Sequence, residues 1–360
     1  MLERRKKTTM LAIHFHGIDV ELESDSRHFT NFVSEYLSGF SHVEKGCGLS
    51  ASGRIQLSGR LSSSVLFGSS VTPPTGPEWI MIARNVAVSK NSIYYQDTRF
   101  RILATMDGDA ALHIVIHVLP ESVRSRLGRM RRLEVGGKAQ FHTYQTALRC
   151  AFHFPLFVLL GWQGSFVGHG AAVRYRNKNI ILIGANGAGK STISAGLQLE
   201  DSQVHFLTDN YVLVSDKSVW PFPEPLRLDP RLISLERLST IFEPAFRIRE
   251  RHYFLPTNVA LEAEPYEVVL VLVARGDSLQ VTPISRAQAL MAFVSTTLKL
   301  GAEFPHGSYT AFLPYLTERA SGLYKMPCMD VDKAYRVIVP DINSAATVSH
   351  VARELIHHVL

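Results

Sequence analysis

Ile180-Ile181-Leu182-Ile183-Gly184-Ala185-Asn186-Gly187-Ala188-Gly189-Lys190-Ser191-Thr192 runs from four apolar residues straight into a glycine-rich loop closed by Lys-Ser-Thr. The apolar run suits a strand buried on both faces of a sheet. Gly184 to Ser191 match the Walker A pattern G-x-x-x-x-G-K-[ST] in full. Thr192 to Leu199 (Thr-Ile-Ser-Ala-Gly-Leu-Gln-Leu) supplies the helix that such a loop opens. Backbone N–H groups of the loop and the positive end of that helix then converge on one point, which suits the phosphates of a nucleotide. Side chains in place of the glycines would block that approach. The candidate nucleotide-binding residues are therefore Gly184, Ala185, Asn186, Gly187, Ala188, Gly189, Lys190, Ser191 and Thr192, with Lys190 against the β- and γ-phosphates and the Ser191 hydroxyl on Mg²⁺. ATP and Mg²⁺ are the expected cofactors.

Outward from the loop the pattern is α/β. A helix is expected over Phe141 to Leu160. A strand from Ser165 to Tyr175 then turns through Arg176-Asn177-Lys178-Asn179 into the apolar strand. Val204 to Leu207, Val212 to Val214 and Val268 to Val273 read as further strands. Ser344 to Leu360 places Val348, Val351, Leu355 and Val359 at helical spacing and reads as a closing amphipathic helix.

The first 140 or so residues follow a different pattern. Ile55 to Leu61, Trp79 to Val88, Ser92 to Tyr95, Arg99 to Thr105 and Leu112 to Leu119 read as strands, with a loop over Thr72 to Pro77 and a hairpin turn at Asp107-Gly108-Asp109. Phe29, Phe32, Val33 and Tyr36 share a helical face, with Gly39 near the helix end. An antiparallel α+β domain is expected over residues 1–138 and an α/β domain over residues 139–360. The boundary falls after five arginines between Arg124 and Arg132 and the break Val135-Gly136-Gly137-Lys138.

Composition narrows the classes of function. The 360 residues are 46% hydrophobic and 19% charged, which suits a folded globular chain. The net charge of +6 is a mild bias toward anionic partners and falls short of a nucleic-acid signature. Three dispersed cysteines, Cys47, Cys150 and Cys328, make neither a disulfide framework nor a thiolate zinc site. Arg4-Arg5-Lys6-Lys7 is not followed by an apolar stretch of the kind an export signal needs, and Ala151 to Trp162 is too short to span a membrane. A cytoplasmic protein without a membrane span is expected. No Leu-Ser-Gly-Gly-Gln-like signature follows the loop, which counts against an ABC-type ATPase. The only Asn-Lys pair, Asn177-Lys178, precedes it, which counts against a GTPase. No His-Glu-x-x-His or Gly-x-Ser-x-Gly occurs, and the histidine pairs (His14 with His16, His357 with His358) lack further ligands for a metal.

Phe166-Val167-Gly168-His169-Gly170-Ala171-Ala172-Val173, the loop, and Phe206-Leu207-Thr208-Asp209-Asn210-Tyr211-Val212 together resemble the catalytic domain of the HPr kinase/phosphorylase family, itself similar in fold to phosphoenolpyruvate carboxykinase. The resemblance covers roughly residues 140 to 340. Pro221 to Leu228 and Leu323 to Met326 are weaker matches to distant members. The resemblance implies a P-loop α/β fold and a kinase that phosphorylates a hydroxyl, usually a serine, on a protein, peptide or small molecule. It also implies oligomeric assembly, although no interface is readable here. Carried over residue by residue, Asp209 is the catalytic base and, with Ser191, a Mg²⁺ ligand. His169 falls on the family's His-Gly, and Asn210 stands where relatives have a second aspartate, which puts the reverse reaction in doubt. Arg227 is a candidate to neutralise charge on the transferred group, and Glu224 is a weaker candidate metal ligand. The run Arg247, Arg249, Arg251 and His252 reads as a solvated charged loop. A nucleotide-gated binding protein that phosphorylates nothing is the alternative.

Overall fold

The structure, a computed structural model, describes residues 9–15, 18–40, 59–67, 75–83, 85–107, 111–119, 137–162, 165–215, 218–248, 251–260, 266–303 and 329–359. It is mixed α/β, rich in strands and with few helices. The arginine run at 124–132, the Leu323–Met326 match, Gly108-Asp109 and the start of the strand expected from Ile55 lie outside the described residues. By packing, the chain falls into two units, one holding residues up to Glu35 and the Ala51–Gly164 region, the other Ser165–Glu303 and Met326–Leu360 together with the segment from Tyr36.

In the first unit, β1 (Thr9–Phe15), β2 (Ile18–Ser24), β3 (Gly59–Phe67), β4 (Ile80–Ala83), β5 (Val86–Val88), β6 (Ser92–Gln96), β7 (Phe100–Asp107) and β8 (Ala111–Val118) form one sheet, in the order β1-β2-β3-β8-β7-β6-β5-β4. The expected antiparallel sheet is instead mixed, because β2, β3 and β8 run parallel. Trp79 to Val88 makes two short strands rather than one. β7 and β8 pair from Phe100↔Val118 to Asp107↔Ala111, the register of a hairpin, and each alternates buried with half-buried residues, as a sheet with one covered face must.

Helix α1 (Arg27–Tyr36) turns Phe29 and Phe32 toward Phe67, Phe141 and Tyr144 in one aromatic cluster. Phe141 and Tyr144 belong to α2 (Gly137–Leu148), which a π-helical turn, Arg149–His153, joins to α3 (Phe154–Trp162). Pro155 has no N–H to donate to the carbonyl of Ala151, and the Ser63 hydroxyl donates to that carbonyl instead. These contacts place α2 and α3 with the first unit. The change of unit therefore comes at Gly164/Ser165 rather than near residue 138.

In the second unit, β9 (Phe166–Tyr175), β10 (Lys178–Ile183), β11 (Val204–Ser215), β12 (Ser218–Trp220), β16 (Glu267–Arg275), β17 (Gln280–Pro283) and β18 (Lys333–Val339) form a seven-stranded sheet. Its order is β12-β11-β9-β10-β16-β18-β17, with β10, β16 and β18 parallel. The turn between β9 and β10 is tighter than expected, since Lys178 already pairs with Tyr175. The two strands expected around residue 209 are one strand, β11. A small sheet of β13 (Leu226–Leu228), β14 (Phe242–Ile248) and β15 (Arg251–Pro256), ordered β13-β15-β14, stands apart and converts the expected charged loop around residues 247–252 into a hairpin.

Both faces of the large sheet are buried. On one face Ala171, Val173, Ile180 and Leu182 pack with α4 (Lys190–Glu200) and α7 (Ala345–His358), with Leu226, Leu228 and Leu238 of the short α5 (Leu235–Leu238) joining the same core. On the other, Ala172, Ile181, Ile183 and Leu207 pack with Ala289 and Phe293 of α6 (Arg286–Glu303). The closing helix forms as its periodicity predicts, with the Ser344 side chain accepting the Thr347 N–H at its N-terminus. No helix among the described residues is long and apolar enough to cross a membrane.

Candidate functional site

The glycine-rich loop leaves the carboxyl end of β10, beside the parallel strand β16, and enters α4 at Lys190. Ligand sites of open α/β sheets form at such strand ends. Gly184, Gly187 and Gly189 all adopt positive φ, and a Cβ on Gly184 would collide with the Val273 carbonyl of β16. The loop is therefore held against the sheet at a distance that only glycine allows. Lys190 is buried, its ammonium donating to the carbonyls of Gly184 at 2.9 Å and Ala185 at 3.1 Å.

Asp209 comes to this loop from β11. In the sheet β9 intervenes between β11 and the loop strand β10. The carboxylate reaches the loop because β11 is irregular there. Its register with β9 shifts between Phe206 and Thr208, and Asn210 adopts φ 70°, a left-handed conformation that asparagine tolerates better than most residues. The Ser191 hydroxyl stands 2.8 and 2.9 Å from the two oxygens of Asp209. Asp209 is only 3% exposed. Burial pushes its pKa up to about 6, opposed by the Ser191 hydrogen bond and the Lys190 charge and helped by the nearby charge of Glu224. Glu224 is fully buried in the segment after β12, which runs along β11 through the hydrogen bond from Phe222 N–H to the Leu207 carbonyl.

His169, on β9 opposite Tyr211, ties the loop to the Asp209 strand. Its Nδ1 lies 3.0 Å from the Asn210 carbonyl, which only accepts, so Nδ1 carries a proton. Its Nε2 lies 3.1 Å from Oδ1 of Asn186, a contact made either by an imidazolium or by the amide turned to present its nitrogen. Next to it, a Cβ on Gly170 would come within 2.7 Å of the Leu182 carbonyl, which explains glycine after that histidine.

Gly184 to Thr192, Asp209 and His169 thus gather at one strand end. Arg227 does not join them. It is exposed on β13, paired with Tyr253, and among the described residues no hydrogen bond or ion pair links it to Lys190, Ser191 or Asp209. The sequence reading missed Arg275, the last residue of β16. Its guanidinium donates to the Gly187 carbonyl at 3.1 and 3.3 Å and to the Pro340 carbonyl at 3.1 Å, bracing the tip of the loop against the exit of β18. The available signal was an arginine closing an apolar strand, which is too common to single out. No group of three or more His, Cys, Asp or Glu side chains gathers as a metal site among the described residues, so a cation here would draw on hydroxyl and carboxylate oxygens and on its ligand. No protein-family model and no curated protein matches the chain.

Proposed function

We propose that this chain is a Mg-ATP-dependent phosphotransferase of the HPr kinase-like P-loop type, transferring the γ-phosphoryl group to a hydroxyl, most simply a serine, of a peptide, protein or small molecule. The observation that carries the reading is the meeting of Ser191 and Asp209 beside Lys190 at the mouth of the glycine-rich loop. A P-loop serine and a strand carboxylate brought together in this way supply hard oxygen donors of the kind Mg²⁺ prefers. Ser191 and Asp209 would hold the ion, which when bound neutralises charge on the phosphate oxygens.

The chain's own residues have distinct tasks in this scheme. Loop N–H groups and Lys190 bind the phosphates, Lys190 exchanging its contacts with the Gly184 and Ala185 carbonyls for phosphate oxygens. Asp209 accepts the proton of the attacking hydroxyl. His169 and Arg275 are positioning residues that hold Asn186 and Gly187, on the two sides of the loop tip.

The second reading is a nucleotide-gated binding protein that transfers nothing. The near-complete burial of Asp209, both of whose oxygens accept from Ser191, favours it, since a base has to meet its substrate. Incubation of the chain with Mg-ATP and a panel of hydroxyl-bearing peptides and small molecules, read by mass spectrometry, separates the two. A phosphorylated acceptor supports the kinase, and nucleotide binding with no phosphorylated species supports the gate.

A further inference from the structure

The glycine-rich loop has two flanks, and Asp209 stands on one of them. There His169 joins Asn186 to the Asp209 strand. On the other flank are the carboxyl ends of β16 and β18, which run parallel to β10 and so finish at the same edge of the sheet. Ligands of open α/β sheets lie across such strand ends. In-line transfer puts the attacking and the leaving oxygen on opposite sides of the phosphorus. An acceptor hydroxyl beside Asp209 therefore leaves the rest of a nucleotide pointing toward β16 and β18.

That second flank is built around Arg275. Its three hydrogen bonds, two to the Gly187 carbonyl and one to that of Pro340, fix the plane of a side chain that is still 40% exposed. Nη2 lies 3.7 Å from where a Cβ on Gly189 would stand, so the guanidinium runs beside the loop from Gly187 to the start of α4. Among the described residues no aromatic ring stacks on it. Ile342 packs at the same place, with Cδ1 2.8 Å from a Cβ placed on Gly189, and so brings its neighbour Asp341 alongside. Asp341 is 90% exposed and meets Arg275 only at 3.8 Å, which leaves its oxygens open to a donor. A flat cation with an open face attracts an aromatic base. A carboxylate beside it accepts from ribose hydroxyls.

We propose that Arg275 and Asp341 form the nucleoside subsite of the glycine-rich loop, with the base on the guanidinium plane and the ribose hydroxyls on the carboxylate. The inference rests on the reading of the loop as a nucleotide site. It adds that the acceptor and the nucleoside occupy opposite flanks, and that the chain selects a nucleoside triphosphate over a bare triphosphate.

Calorimetric titration of the full chain with Mg-ATP and with Mg-tripolyphosphate tests it, because the second probe carries the phosphates without a nucleoside. The wild type is expected to bind Mg-ATP at least about tenfold more tightly. Arg275→Ala and Asp341→Asn should each reduce that preference about three- to fivefold. The ratio of the two affinities is the deciding quantity, since loss of the brace on Gly187 alone weakens both probes alike and leaves it unchanged. Asp341 is exposed, so its variant keeps the test decisive if Arg275→Ala does not fold. Equal affinity for the two probes in the wild type overturns the subsite and leaves the loop assignment standing. A ratio unchanged by Arg275→Ala overturns the stacking, and one unchanged by Asp341→Asn overturns the ribose contact. Binding of neither probe overturns the loop assignment and the subsite together.

Discussion

The two ends of the β9–β10–β11 strands are built from the same residues of sheet but differ in how their charge is arranged. At the loop end a buried lysine, a buried aspartate and a buried glutamate lie close together, with Ser191 tying the aspartate to the loop. At the turn end Arg174, Arg176 and His205 line a cleft beside Tyr266. The first arrangement holds charges of both signs in a small volume, which suits chemistry on a charged group. The second stacks its arginines on Tyr266 and Tyr175 and ties them to Asn179 and Gln203, which fixes the turn. The phosphoryl transfer proposed above belongs to the first end.

Asp209→Asn breaks the comparison most sharply. It keeps the shape and removes the proton acceptor, so phosphoryl transfer should fall by roughly 10² to 10⁴, while binding of the nucleotide itself, carried by the loop and Lys190, falls far less. Measuring product formation and nucleotide affinity on the same preparation checks this, and normal turnover would remove Asp209 from the mechanism.

Arg275→Ala should weaken Mg-ATP binding by about five- to tenfold, since two charge-assisted hydrogen bonds to the loop tip are lost at a partly exposed site.

The same carboxylate makes a prediction for stability. Its folded pKa of about 6 lies above the ordinary 3.8, so the folded state holds the proton more tightly between those values. The cost of the buried charge is therefore full above pH 6, fades as pH falls through 6 and is gone below 3.8. Asp209→Asn should stabilise the chain by on the order of 2–3 kcal/mol at pH 7.5, with the gain vanishing near pH 4. Denaturant titrations at the two pH values would show it.

The smallest expected effect is that of His169→Ala, which removes the ring's contacts with Asn210 and Asn186 and should cost about 1–2 kcal/mol of stability. Denaturant unfolding measures it, and nucleotide affinity should move by less than tenfold.

The two ends were also unequally legible. Gly184 to Ser191 is contiguous, and its chemistry requires a fixed spacing, so the loop, its strand and its helix could be read directly from sequence. Asp209 was legible only through the resemblance of its neighbours to a known family, and its route to the loop was not legible. A strand order with β9 between β10 and β11 is set by pairing between segments far apart in sequence, and the reach of Asp209 depends on a bulge and on the positive φ of Asn210. The parallel pairing of β2, β3 and β8 was missed for the same reason, since alternation of burial is alike in parallel and antiparallel strands. Arg174 and Arg176 lie two residues apart, but Tyr266 comes from a distant segment and meets them only in the fold, so no local pattern announces the cleft. Arg227 shows the converse: an arginine near a family-like stretch reads as catalytic, yet β13 carries it in the separate small sheet.

The most direct test of the central claim is calorimetric titration of Mg-ATP into the wild-type chain and into Lys190→Ala, with thermal unfolding followed on both. The account predicts one Mg-ATP site per wild-type chain, weakened tenfold to more than a hundredfold by the loss of a charge-assisted phosphate contact, in a variant that still unfolds cooperatively. Equal Mg-ATP affinity in the two folded proteins, or no Mg-ATP binding by the wild type, would contradict it.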